Sequence, residues 1–111
     1  MKKIYARRLT SFYEAYNTAY FYGRLPQIKV YYTALPITMY GRTDFSLKTK
    51  RAIHVLVNRR LKDWLCTSLI TLLHEMIHVS NGALREKDSH GKIFQRERQR
   101  LVKAGAFTRL L

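Results

Sequence analysis

Around Leu65 to Val79, within a stretch that turns helical from about Lys62, the chain carries its longest apolar region, and His74, Glu75 and His78 interrupt it. Leu65, Leu69, Leu72, Leu73, Met76 and Ile77 recur with a helical period and cover more than one face. The spacing therefore predicts a helix that is buried on most sides and around which the rest of the domain is built. Thr and Ser break the region as well, so it is not a membrane span. The polar residues need an explanation, because each buried polar side chain requires a partner.

His74, Glu75 and His78 form the pattern H-E-x-x-H. Residues four apart on a helix return to nearly the same face, so both imidazoles can reach one ion. Zn²⁺ suits two neutral imidazole nitrogens, and it needs a third protein ligand and an open position for water. Glu75 projects sideways from the pair, where it can take a proton from that water as the general base. A single ion with its water satisfies all three polar groups, whereas a plain core helix would need separate partners for each. Asn81 and Gly82 signal the helix end, so the chain can turn back. His90 is the expected third ligand, with Glu86, Asp88 and Glu97 as alternatives; Glu97 is also placed to pair with Arg100 on a helix. The longer metzincin pattern would need Gly at position 81 and His at position 84, where the chain has Asn81 and Leu84.

The remaining segments are simpler to read. Ser11 and Glu14 have capping-box spacing, and Phe12, Tyr13, Tyr16, Ala19 and Tyr20 follow a helical period up to Gly23. Ile28 to Thr33 reads as a strand, Met39 to Phe45 as a short strand weakened by Gly41, and Ala52 to Asn58 as the clearest strand. On that last strand Ile53, Val55 and Val57 should point one way, and His54, Leu56 and Asn58 the other. A final helix should open at His90-Gly91 and run to about Ala104, with Ile93, Phe94, Leu101 and Val102 inward. The expected fold class is α+β. One domain over residues 1–111 would hold a small antiparallel sheet of about three strands packed on three helices, with H-E-x-x-H on the central helix.

Charge points to a partner. The chain has 21 Lys and Arg against 7 Asp and Glu, a formal net charge of +14. Such a molecule repels its own copies, which favours a monomer, and attracts polyanions, of which DNA is the commonest. Basic residues gather at Lys2, Lys3, Arg7 and Arg8; at Lys48, Lys50 and Arg51; at Arg59, Arg60 and Lys62; and at Arg96, Arg98, Arg100 and Lys103. Arg59, Arg60, Lys62, Arg96, Arg100 and Lys103 are the expected DNA contacts. The single cysteine, Cys66, allows no internal disulfide and no cysteine-rich zinc ribbon within the chain. The basic N-terminus lacks a following apolar run, so no signal peptide is expected and the location is expected to be cytoplasmic, near DNA.

With these residues in view, the chain resembles the SprT-like zinc metallopeptidases, the family that includes Spartan. The resemblance runs from about Phe12 to Leu101. It rests on LLHEMIH at 72–78, a polar loop, then His90-Gly91 with Phe94 four residues after the histidine. Asn17, Phe21-Tyr22, Gly23, Leu25 and the IKVYY strand resemble the family's first helix and strand. The resemblance implies a zincin-like arrangement, His74, His78 and His90 as zinc ligands, Glu75 as catalytic base, and proteolysis of proteins on or crosslinked to DNA. Lys92 stands where the family often has Pro, and the loop after His78 looks shorter than in Spartan. A short stand-alone form is similar to domains of phages and mobile elements.

The expected activity is thus a zinc-dependent metalloendopeptidase acting on DNA-bound protein, without a membrane. Two other readings belong to different classes: a DNA-binding module with structural zinc and no protease activity, and a small phage-type effector that binds a host protein. Among side chains outside the motif, His54 is expected to face solvent, Cys66 to be a small buried hydrophobe, and Trp64 to lie in or at the edge of the core. Tyr40 and Arg42 are candidates for stabilising a developing oxyanion. Tyr5 and Tyr13 have rings that can stack on single-stranded bases, although their spacing fits core packing as well.

Overall fold

In a computed structural model, which describes residues 2–82 and 90–110, the chain is α+β. Its strands are β1 (Ile4–Tyr5), β2 (Lys29–Thr33), β3 (Gly41–Phe45) and β4 (Ala52–Asn58). Its helices are α1 (Arg7–Tyr20), α2 (Leu65–Asn81) and α3 (Lys92–Ala104), with a 3₁₀ turn at Arg59–Leu61 before α2. Among the described residues, no helix is long and apolar enough to cross a membrane.

The sheet corrects the expectation of three antiparallel strands. It has four strands in the order β1-β2-β4-β3, and β2 and β4 run parallel. β4 is the most apolar strand, with Val55 and Val57 fully buried, so it takes the inner position between β2 and β3. The β3–β4 hairpin is antiparallel, and inserting β4 beside β2 makes that pair parallel. The long connection from β2 to β3 must then cross the end of β4. Asn58 secures it: its buried amide donates to the carbonyls of Leu35, Pro36 and Met39 at 3.3, 3.3 and 3.0 Å. β1 has only two exposed residues, too few to leave a pattern in the sequence, and pairs antiparallel with β2.

One strand alternation also changes. Asp44 pairs with His54 and Phe45 with Ala52, so Ile53 is the extra residue of a β-bulge. Ala52 therefore joins Val55 and Val57 in the core, and Ile53 is 52% exposed.

α1 begins at Arg7, so Ser11 is not its cap; Ser11 and Glu14 lie on its exposed face. The residue that ties this helix down is Thr10, whose hydroxyl donates to the Ala6 carbonyl and accepts from the Val30 amide. Buried Tyr13 donates to the Pro26 carbonyl at 2.7 Å. Asn17 imitates a backbone pair, accepting from the Leu25 amide and donating to its carbonyl. α1 ends at Tyr20, and the chain reverses through Tyr22 and Gly23, both at positive φ.

α2 starts at Leu65, three residues later than the sequence suggests, because a turn at Lys62 and Asp63 follows the 3₁₀ segment before the helix can begin. Leu72, Leu73, Met76 and Ile77 are fully buried, and the helix packs against α1, α3, β3 and β4. Gly82 (φ 67°) stops it, with its amide on the His78 and Val79 carbonyls. On α3 the buried residues are Phe94 and Leu101. Ile93 and Val102 are instead 43% and 48% exposed, because the apolar stripe is narrow and Ala106 and Phe107 complete the packing beyond the helix.

Candidate metal centre and its cleft

His74, Glu75 and His78 occupy successive positions along one turn of α2. The two imidazoles share a face that opens to solvent, while Glu75 turns into the protein and is only 5% exposed. His90 arrives at the start of α3, where its carbonyl accepts from the Gln95 side chain at 3.2 Å. The three rings converge through the same atom. His90 Nε2 lies 3.0 Å from His74 Nε2 and 3.3 Å from His78 Nε2.

These separations suit a metal. Tetrahedral zinc with bonds of about 2.0–2.1 Å holds its nitrogens about 3.3–3.4 Å apart. A proton on one ring points at one acceptor at a time, whereas a cation satisfies all three nitrogens. The protonation states agree. Burial lowers the His74 pKa to about 4, helped by the neighbouring His78, His90 and Arg98. Burial and then His90 lower that of His78. Neutral imidazole is the form that binds metal. Phe94, 1% exposed, sits beneath the group with its ring centroid 4.8 Å from each of the three imidazoles. Among the described residues, these histidines are the one group of three or more His, Cys, Asp or Glu able to hold a single ion.

Glu75 is held from the sheet. The Thr43 hydroxyl donates to Glu75 Oε1 at 2.9 Å. Burial pushes the Glu75 pKa up to about 7, and the Thr43 bond opposes that rise. Such a close approach requires Gly41. A Cβ there would lie 2.7 Å from Thr71 Cγ2 and 3.1 Å from Glu75 Cγ. Read from sequence, Gly41 weakens a strand; in the fold it lets β3 lie against α2. A glycine inside a strand is a known sign of such an approach. Nothing in the sequence near Thr43 marks its role, because its partner lies 32 residues away.

A cleft of about 600 Å³ runs along β3 and α2, with Tyr40, Thr43, Phe45 and Ile70 beside the histidines and Glu75. Tyr40 reaches it and is 59% exposed. Arg42 borders it, but its Nε is held by Asp44 Oδ1 at 2.8 Å.

The other residues singled out from the sequence fall elsewhere. Glu97 pairs with Arg100 at 3.0 Å on α3 rather than joining the histidines. Glu86 and Asp88 lie outside the described residues. His54 is half-buried on the other face of the sheet, with Nε2 2.7 Å from Asp44 Oδ2, so it does not simply face solvent. Cys66 is exposed and Trp64 is 66% exposed, contrary to their expected burial; both sit at the start of α2 before its buried stretch begins. Arg59, Arg60, Lys62, Arg96 and Lys103 are exposed. Arg100 is half-buried, held by Glu97 and lying 5.4 Å over the Phe21 ring.

A comparison with curated proteins finds no match. The model of the SprT-like family matches residues 9–109, nearly the whole chain. That family is associated with zinc and linked to metallopeptidase-like proteins. The match spans His74, His78 and His90, Glu75, Gly41 and Thr43, and the chain belongs to the SprT-like family.

Proposed function

We propose that the protein is a zinc-dependent metalloendopeptidase that acts on proteins bound or crosslinked to DNA. The observation that carries this reading is the convergence of three imidazole Nε2 atoms beside a buried glutamate that is not one of them. His74, His78 and His90 would hold the ion. A zinc ion held there would supply Lewis acidity, acidifying water and polarising a carbonyl.

The chain's own groups account for the rest. Thr43 donates to Glu75 Oε1 and so restrains the carboxylate. Glu75 takes a proton from the attacking water and delivers it to the amide nitrogen that leaves. Glu75 would be in its base form at neutral pH once a cation lay beside it, since a nearby positive charge would lower its carboxyl pKa. Tyr40, at the cleft mouth, has a phenol that can donate to the developing oxyanion. The net charge of +14 would keep the enzyme on DNA with its substrates.

The test is zinc analysis together with cleavage of a DNA-bound protein, with and without DNA, on wild type and Glu75→Gln. Full zinc with cleavage lost only in the variant is the expected result. Zinc-loaded wild type that cleaves nothing would leave a DNA-binding module with structural zinc. Cleavage with no dependence on DNA would remove the substrate class and keep the chemistry.

A further inference from the structure

The face of the sheet turned away from α2 carries an aromatic strip that core packing does not explain. Tyr5 on β1, Tyr31 on β2 and His54 on β4 lie side by side across three strands. Their ring centroids are 6.0 Å and 5.8 Å apart, both pairs edge-on. None of the three belongs to the apolar core, and Tyr5 is 49% exposed. Their strand neighbours Val30 and Val55 point the other way and are fully buried. Lysines border the strip. Lys3 Nζ lies 4.7 Å from the Tyr31 centroid and Lys29 Nζ 5.6 Å from that of Tyr5. Asp44 on this face is already held by Arg42 and His54, so its charge is compensated.

We propose that this open face binds single-stranded nucleic acid, with Tyr5 and Tyr31 stacking on bases and Lys3 and Lys29 contacting phosphates. The proposal rests on the nucleic-acid part of the reading above and assigns it a surface on the opposite side of the sheet from the histidines. A ring face that accepts an ammonium also accepts a base, and a flexible lysine stem lets the charge swing to the adjoining phosphate. Successive aromatic rings on a sheet, flanked by cations, favour unpaired strands, because bases in a duplex are already stacked on each other. Phosphate attraction alone would need no aromatic strip and would not distinguish single strands from duplex.

The zinc-loaded chain is titrated by fluorescence anisotropy with labelled oligodeoxythymidine and with a duplex of equal length. Tyr5→Leu/Tyr31→Leu should weaken single-strand binding roughly 10-fold or more and leave duplex binding unchanged. Tyr5→Phe/Tyr31→Phe, which keeps both rings, should bind like wild type. Single-strand affinity unchanged in the Leu variant overturns the platform. If Arg59→Ala/Arg60→Ala/Lys62→Ala then loses binding instead, the nucleic-acid reading survives without it. Wild type that binds neither probe overturns both. A second measurement does not depend on the Leu variant folding: photocrosslinking of wild type to a 5-iododeoxyuridine oligonucleotide. Adducts on Tyr5, Tyr31 or His54 support the platform, and adducts confined to other surfaces overturn it.

Discussion

Two clusters of histidine and carboxylate lie on opposite faces of the same sheet, and they handle charge in opposite ways. On the open face, Asp44 is bonded by both Arg42 and His54. Burial raises its pKa, but the Arg42 and His54 bonds and charges outweigh that, and the net shift is downward. On the α2 side, Glu75 has only the Thr43 hydroxyl as a partner among the described residues, and burial drives its pKa up. The first cluster is closed on itself. The second sets a buried carboxylate, bonded to a neutral hydroxyl and to no cation among the described residues, beside three imidazoles that line a cleft. The lesson is that a titratable cluster points to chemistry when its charge is left uncompensated, not simply when histidines and acids meet.

The contrast can be broken most sharply at the carboxylates. Glu75→Gln should keep zinc and lower turnover by about 10²–10⁴-fold, whereas Asp44→Asn should leave zinc and turnover as in wild type. Metal analysis and a peptidase assay on both variants check this, and equal losses would erase the distinction. At the histidines, His90→Ala should lose bound zinc on dialysis while His54→Ala retains it, as read by metal content.

The metal-free protein offers a test by pH. Glu75 has a raised pKa, so its contribution to stability is present below about 4.5 and is lost as pH rises through about 7. His74 has a lowered pKa, so its contribution is present above about 6.5 and is lost as pH falls toward about 4. The two slopes oppose each other in wild type. Glu75→Gln removes one of them, so the metal-free variant should gain on the order of 1–2 kcal/mol between pH 4.5 and 7 after solvent screening of the half-buried His74 ring, while wild type changes less. Denaturant unfolding in chelator at several pH values measures the difference.

Two smaller effects probe how the sheet reaches α2. Gly41→Ala should destabilise the fold by about 1–3 kcal/mol, because its Cβ meets Thr71 Cγ2. Adding Thr71→Ser, which removes that methyl, should recover much of the loss in thermal unfolding. Thr43→Val should retain zinc and move the acidic limb of the activity profile to higher pH, since the lost hydrogen bond had been lowering the Glu75 pKa. Thr43→Ser should restore the profile, and an unshifted limb in the valine variant would show that Thr43 does not act through the carboxylate.

What the sequence carried follows from distance along the chain. The α2 helix, its stop at Gly82 and the facing pair His74 and His78 were legible, because helical period fixes them within a few residues, whereas the burial of Glu75 came only with the fold. β4 was legible from its own apolar residues, and its bounds agree with the sequence reading. The same local logic misplaced the α1 cap, since Ser and Glu at that spacing also fit an exposed helix face. It also reversed Ile53, since alternation cannot foresee a bulge.

The amino-acid sequence by itself determined the helix that carries His74 and His78 on one face and the strong positive charge. Tertiary structure alone decided the rest. It put β4 between β2 and β3, brought His90 within 3.0 Å of a histidine 16 residues earlier, laid Gly41 and Thr43 against Glu75, and lined up Tyr5, Tyr31 and His54 on an open face. The physical reason is that side-chain periodicity records which face a residue takes within its own element. Which elements become neighbours is set by the collective burial of apolar surface around α2, and no single stretch of the chain encodes that.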